Sequence, residues 1–199
     1  MGRSTNAPVI LISMHRKIAS VFAVIASLQG ICALAQAPGR GPVGGACNDA
    51  ACDIQRDWVR NNGMFYLVAN AMPAEKYGYK PTPAQQSFAE RVLHVADINV
   101  GMMQTLGGKT PPPQINMKAT TKAEAMKELQ KANAYGAALM KEFTQAQLME
   151  RVPSPEFMGP TSSRQELAYF VMTHIQDTYG QLVVYLRLNG ITPPLSVQP

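Results

Sequence analysis

Cysteine is scarce, with three among 199 residues, which excludes a disulfide-built scaffold and a four-cysteine zinc centre. Charge is also low, at 16%. None of the 13 acidic residues falls in the first 35 positions, where Arg3, Arg16 and Lys17 stand unopposed. Without that stretch, fifteen basic residues face thirteen acidic ones, so the formal charge of +5 shrinks to +2. No basic run remains, and nucleic-acid binding, which needs a concentrated basic face, finds no support. There is no Gly-rich phosphate loop and no nucleophile elbow. Apolar residues, by contrast, make up 46% of the chain. That is enough for an ordered core in a chain of one domain's length.

The first 35 residues read as a signal peptide. Met14-His15-Arg16-Lys17 is a charged start, Ile18 to Leu34 is almost wholly apolar, and Ala33-Leu34-Ala35 is a small-x-small cleavage pattern. The apolar run is short for a membrane span of roughly 20 residues, so the expectation is export with no stable membrane insertion after cleavage. Met14 is a second candidate start. Residues 36–48 form a flexible leader rich in Gly and Pro. Cleavage removes Cys32 and leaves Cys47 and Cys52, which an oxidising compartment allows to pair. A disulfide between them is the expectation, with two free thiols as the alternative.

Residues 49–196 read as four helices. The first spans about Asp49–Met72, with Ile54, Trp58, Phe65, Val68 and Met72 on one stripe and Asn61 in its missing place. The second is expected from Pro83, with Thr82 as its cap, to about Leu106, along Phe88, Val92, Val95, Met102 and Leu106. The third should begin near Thr120 or Thr121, with Glu124 as a capping-box partner, and reach about Glu150 on Met126, Leu129, Met140 and Phe143. The fourth should run from Ser162 or Ser163 to Asn189, with Gly190 as its stop. With no convincing strand, the fold class is all-α, a four-helix bundle.

The fourth helix carries the chemistry. His174, Thr178, Gln181 and Tyr185 fall within an arc of about 60° on its inward stripe. Buried polar groups need partners, so two readings stand: a polar network satisfied inside the bundle, or a pocket for a ligand or a metal. His94, on the second helix, sits roughly 120° from the line through Phe88 and Leu106, and periodicity alone makes it a flanking residue. Asn99 falls on the stripe itself. Asn61 either lines the same cavity as His174 or bonds to backbone, and the second is favoured. The methionines read as adaptable core filler.

The run His94-Val95-Ala96-Asp97-Ile98-Asn99 resembles the DinB/YfiT-like family. So does the long stretch from His174 through Asp177, Tyr179-Gly180-Gln181 and Tyr185 to Asn189-Gly190-Ile191 and Pro193-Pro194. Asn70 to Tyr77 and Pro81-Thr82-Pro83 match the family's first connection, so the resemblance covers about residues 50–196. It implies an up-down-down-up bundle with a divalent metal (zinc, nickel or iron) on one histidine of the second helix and two of the fourth. His94 and His174 match two of these ligands; the third falls at position 178, which is Thr178 here. Asp177, three residues from His174, is a candidate replacement donor.

Two function classes follow. The resemblance implies metal-assisted, hydrolase-like chemistry on an unidentified small molecule. The alternative is a non-catalytic bundle that binds a ligand or a partner protein through a former active site, with metal absent. Thr178 favours the alternative. A purely structural or homodimeric bundle is a further reading, which a long exposed apolar stripe would mark. Whether the chain is an enzyme is left open by these residues.

Overall fold

Each long helix begins at a side chain that caps it. The computed structural model describes residues 46–196; the expected signal peptide and most of the leader lie outside the described residues. Helix α1 (Ala50–Ala71) starts at Asp49, whose carboxylate accepts from the Cys52 N–H at 2.8 Å. Cys52, in that first turn, is joined to Cys47 by a disulfide with Cα atoms 5.4 Å apart. Helix α2 (Phe88–Gln104) starts at Ser87 and α3 (Lys122–Met140) at Thr121, each closed by a reciprocal bond with the Glu three residues on, Glu90 and Glu124. Helix α5 (Arg164–Leu188) starts at Ser163 and ends before Gly190, whose φ of 71° is a left-handed stop.

Two expected boundaries need correction. Helix α2 begins at Phe88 and not Pro83. The Ser87–Glu90 box outcompetes Thr82, and backbone bonds from Phe88 and Ala89 to the carbonyls of Tyr79 and Tyr77 hold residues 77–87 in turns. The third expected helix is broken: α3 stops at Met140, and a separate short helix α4 (Gln145–Met149) starts on its own box, Thr144 with Gln147. A small antiparallel pair, β1 (Arg151–Pro153) and β2 (Thr161–Ser163), links α4 to α5 where the sequence pattern shows no strand.

The four long helices close a ring in which α1 and α2 each pack on both α3 and α5. Local bonds give the directions. Lys122 at the start of α3 reaches the Asn70 carbonyl at the end of α1 (2.7 Å), so these two run antiparallel. The backbone just past α2 is gripped by Glu142 just past α3, so those two run parallel. Lys76, after α1, meets the Asn189 carbonyl after α5 at 3.5 Å. The bundle is therefore up-down-down-up and all-α in class.

All the apolar stripe residues predicted for α1, α2 and α3 are buried. Trp58 is the tightest fit. Its indole N–H donates to the Asn133 carbonyl (3.2 Å), and its ring occupies the space where a Cβ on Gly136 would stand, 2.0 Å away. On α5 the stripe fades towards its end, where Leu188 is exposed. Among the described residues no helix is long and apolar enough to cross a membrane.

Candidate metal and ligand site between the second and last helices

Helices α2 and α5 run antiparallel, so residues far apart in the chain meet along their seam. His94, on the flank of α2, faces His174 on α5: the two Nε2 atoms are 3.1 Å apart and the rings meet edge to face, with centroids 5.0 Å apart. Two neutral imidazoles at this distance share one proton, one ring donating and the other accepting. Burial holds His174 below the ordinary imidazole range, its neighbour His94 adds to the shift, and Asp177 partly opposes it. The neutral form, which is the metal-binding form, is thereby favoured. His174 Nδ1 is buried without a hydrogen-bond partner.

Thr178, one turn beyond His174, is buried at 1% exposure. Asp177 is exposed, and its carboxylate accepts from the Gln181 side-chain amide at 2.8 Å. The Gln181 carbonyl oxygen is buried and unpaired. Tyr185 is committed elsewhere. Its hydroxyl donates to the Gln86 carbonyl at 2.8 Å, pinning α5 to the chain just before α2. Asn61 does not join the histidines. Its amide donates to the Asp57 carbonyl (2.7 Å), and its oxygen accepts from Gln176 on a different face of α5.

Three further polar residues belong to this interior, none of them marked as a site residue by the sequence pattern. Asn62 and Asn99 are buried and bonded across the core at 3.1 Å, and Asn62 also donates to the Trp58 carbonyl. The presence of Asn99 on an apolar stripe is the available signal for this pair. Arg91, three residues before His94, has a buried Nε with no partner; its spacing from His94 is the signal there.

The donor set decides how well a metal ion fits. Two nitrogens on one tetrahedral zinc, at about 2.0–2.1 Å each, stand about 3.3 Å apart. The observed 3.1 Å is close to that, so His94 and His174 fit two corners of a site. The third corner does not fit. Among the described residues no group of three or more His, Cys, Asp or Glu could hold an ion, and Thr178, where the family resemblance implies a third ligand, carries only a neutral hydroxyl. Two protein donors fall short of the three that catalytic zinc uses, so these residues do not make a catalytic zinc centre.

Known proteins share this architecture. The family model described as DinB superfamily matches residues 58–182. The fold is similar to two solved structures. One is a DinB-like protein from Bacillus cereus ATCC 10987, at 17% identity and a TM-score of 0.62, covering 71% of this chain and 93% of that one. The other is a DinB-like protein from Bacillus subtilis, at 20% identity and a TM-score of 0.54, covering 70% and 93%. No curated protein matches.

Proposed function

The chain belongs to the DinB superfamily, whose members generally bind metal, and from that premise we propose an exported bundle that holds a divalent ion loosely through His94 and His174. The observation that carries this reading is the 3.1 Å approach of the two Nε2 atoms, close to the spacing of two nitrogens on one tetrahedral ion. The remaining positions on the ion would fall to water or to a ligand. Zinc, nickel and iron all accept imidazole nitrogen. A bound ion would supply a Lewis acid. Hydrolase-like chemistry would further need a third protein donor, which Thr178 does not offer. Export is supported by the apolar leader ahead of residue 36 and by the Cys47–Cys52 disulfide, which an oxidising compartment sustains.

A second reading, a non-catalytic ligand pocket without metal, is favoured by the buried Thr178 and the unpaired Gln181 oxygen beside it. The two readings part in one experiment: metal content and zinc affinity of the protein purified after export without a His tag, beside His174→Ala and Thr178→His. Metal in the wild type that is lost in H174A supports the two-histidine site, and T178H should then tighten zinc at least about tenfold, the scale of single changes around metal sites. Metal found only in T178H would replace the first reading with the second.

A further inference from the structure

At the end of the bundle where α2 and α3 finish and α5 begins lies a cleft of about 370 Å³, within the size range of small-molecule sites. Gly107 to Lys109 line it from the turn after α2, and Glu142 and Phe143 from the turn after α3. Gln147 of α4 and Arg164, the first residue of α5, complete the lining. Its side-chain acceptors are already engaged. The Glu142 carboxylate accepts from the N–H groups of Lys109 and Thr110 and from the Thr110 hydroxyl. The Gln147 side-chain oxygen accepts from the Thr144 N–H and hydroxyl. Donors are left over. Arg164 spends Nε on the Leu106 carbonyl (2.7 Å) and Nη1 on the Gln147 carbonyl and on Glu150, an exposed carboxylate outside the lining, so Nη2 is uncommitted. Gln147 Nε2 has no hydrogen bond, and Lys109 Nζ makes no ion pair among the described residues. The walls are also held in place: the Arg164 guanidinium lies over the Phe143 ring, 5.1 Å from its centroid. Gly108 sits so close to α3 that a Cβ there would stand 2.2 Å from Leu139 and 2.9 Å from a Glu142 oxygen.

We propose that this cleft binds a small organic carboxylate, whose oxygens accept from the uncommitted donors of the lining and whose apolar body lies beside Phe143. Charge and hydrogen-bond capacity both argue for an anion. The lining carries two cations, Lys109 and Arg164, against the single carboxylate of Glu142, and that carboxylate is occupied by the loop. A ligand that brings acceptors is therefore matched, and one that brings only donors is not. Bonds from guanidinium and ammonium groups to a carboxylate are the stronger, charge-assisted kind. The Phe143 ring favours an organic body over a bare inorganic anion, because it offers apolar surface to cover. Neither His94 nor His174 lines this cleft, so the inference stands apart from the two-histidine reading.

The test is a titration of the protein with benzoate, with inorganic phosphate and with benzamide as the uncharged shape match, at constant ionic strength. The readout is the amide NMR shifts of Gly107, Gly108 and Lys109. Benzoate should shift these amides saturably and bind at least about tenfold more tightly than benzamide, the scale of a charge-assisted bond; phosphate should also bind more weakly than benzoate. Gln147→Glu keeps the capping box with Thr144, which takes Glu as readily as Gln, while setting a second carboxylate in the lining. It should weaken benzoate at least about tenfold by like-charge repulsion, with an unchanged urea midpoint. Lys109→Gln, at an exposed side chain, should weaken benzoate about threefold. No saturable shift at the three amides, or benzamide binding as tightly as benzoate, would overturn the carboxylate site. Phosphate binding as tightly as benzoate would overturn the organic ligand. Should Q147E fail to fold, the contrast between benzoate and benzamide in wild type decides by itself.

Discussion

A single hydrogen atom on Gly136 lets α1 and α3 approach. The Trp58 ring lies where any Cβ at that position would be, and Trp58 is itself 1% exposed with its N–H committed to Asn133. Gly136→Ala must therefore displace a buried indole within a close-packed core. The expected cost is about 1–3 kcal/mol or more, read as a fall in the urea midpoint with an unchanged slope. A loss below about 0.5 kcal/mol would mean that the ring can shift freely. The same scale governs the candidate site. Thr178 carries a neutral hydroxyl where the family resemblance implies an imidazole, and the chain's own close nitrogen donors at this seam are His94 and His174.

At the scale of elements, carboxylates tie the long α2–α3 connection to α3. The Glu142 carboxylate accepts from the N–H groups of Lys109 and Thr110 and from the Thr110 hydroxyl, and these bonds lower its pKa. The Glu128 pKa is also lowered: burial pushes it up, but Lys131 and the Asn116 N–H outweigh burial. A carboxylate whose pKa is depressed by folding stabilises the fold above its unfolded pKa, and that contribution is lost as pH falls through the lowered folded value. Hydrogen exchange at residues 109–116 should thus quicken as pH drops below about 4.3, the ordinary glutamate value, after correction for intrinsic rates. Glu142→Gln should show faster exchange at Lys109 and Thr110 already at neutral pH. Equal protection in E142Q and wild type would show that the loop is held by something else.

Across the whole molecule, the start of α1 is secured at two places: the Ala50 N–H donates to the Gln145 side chain of α4, and the disulfide closes the turn before it. The disulfide spans five residues of sequence, so on the chain-entropy model it stabilises by at most about 2 kcal/mol. Reduction should lower the thermal midpoint modestly without unfolding the bundle, since the buried core begins at Ala51 and Ile54 and runs on through all four long helices. Global unfolding on addition of a reductant would place the disulfide at the centre of stability and contradict this. The ring of four helices also explains why a seam, and not a loop, carries the candidate site: helices hold side chains at fixed spacing across an antiparallel interface.

The sequence by itself determined the four long helices, because a stripe such as Ile54, Trp58, Phe65 and Val68 repeats at a helix's own period whatever it packs against. It also determined the Thr121–Glu124 cap and the polar-tipped stripe of α5, since both are set by residues within a few turns. It did not determine where α2 begins or where α3 breaks. At the first, the Ser87–Glu90 box and bonds to the carbonyls of Tyr77 and Tyr79 displaced the expected start at Thr82; at the second, the Thr144–Gln147 box opened a new helix. Least legible was His94: about 120° off its own apolar stripe, it reads as a flank residue. The family resemblance implied that this flank meets the last helix, but among the residues themselves only the tertiary structure decided it, because periodicity describes one helix at a time, and a site between two helices exists only once their register and direction are set.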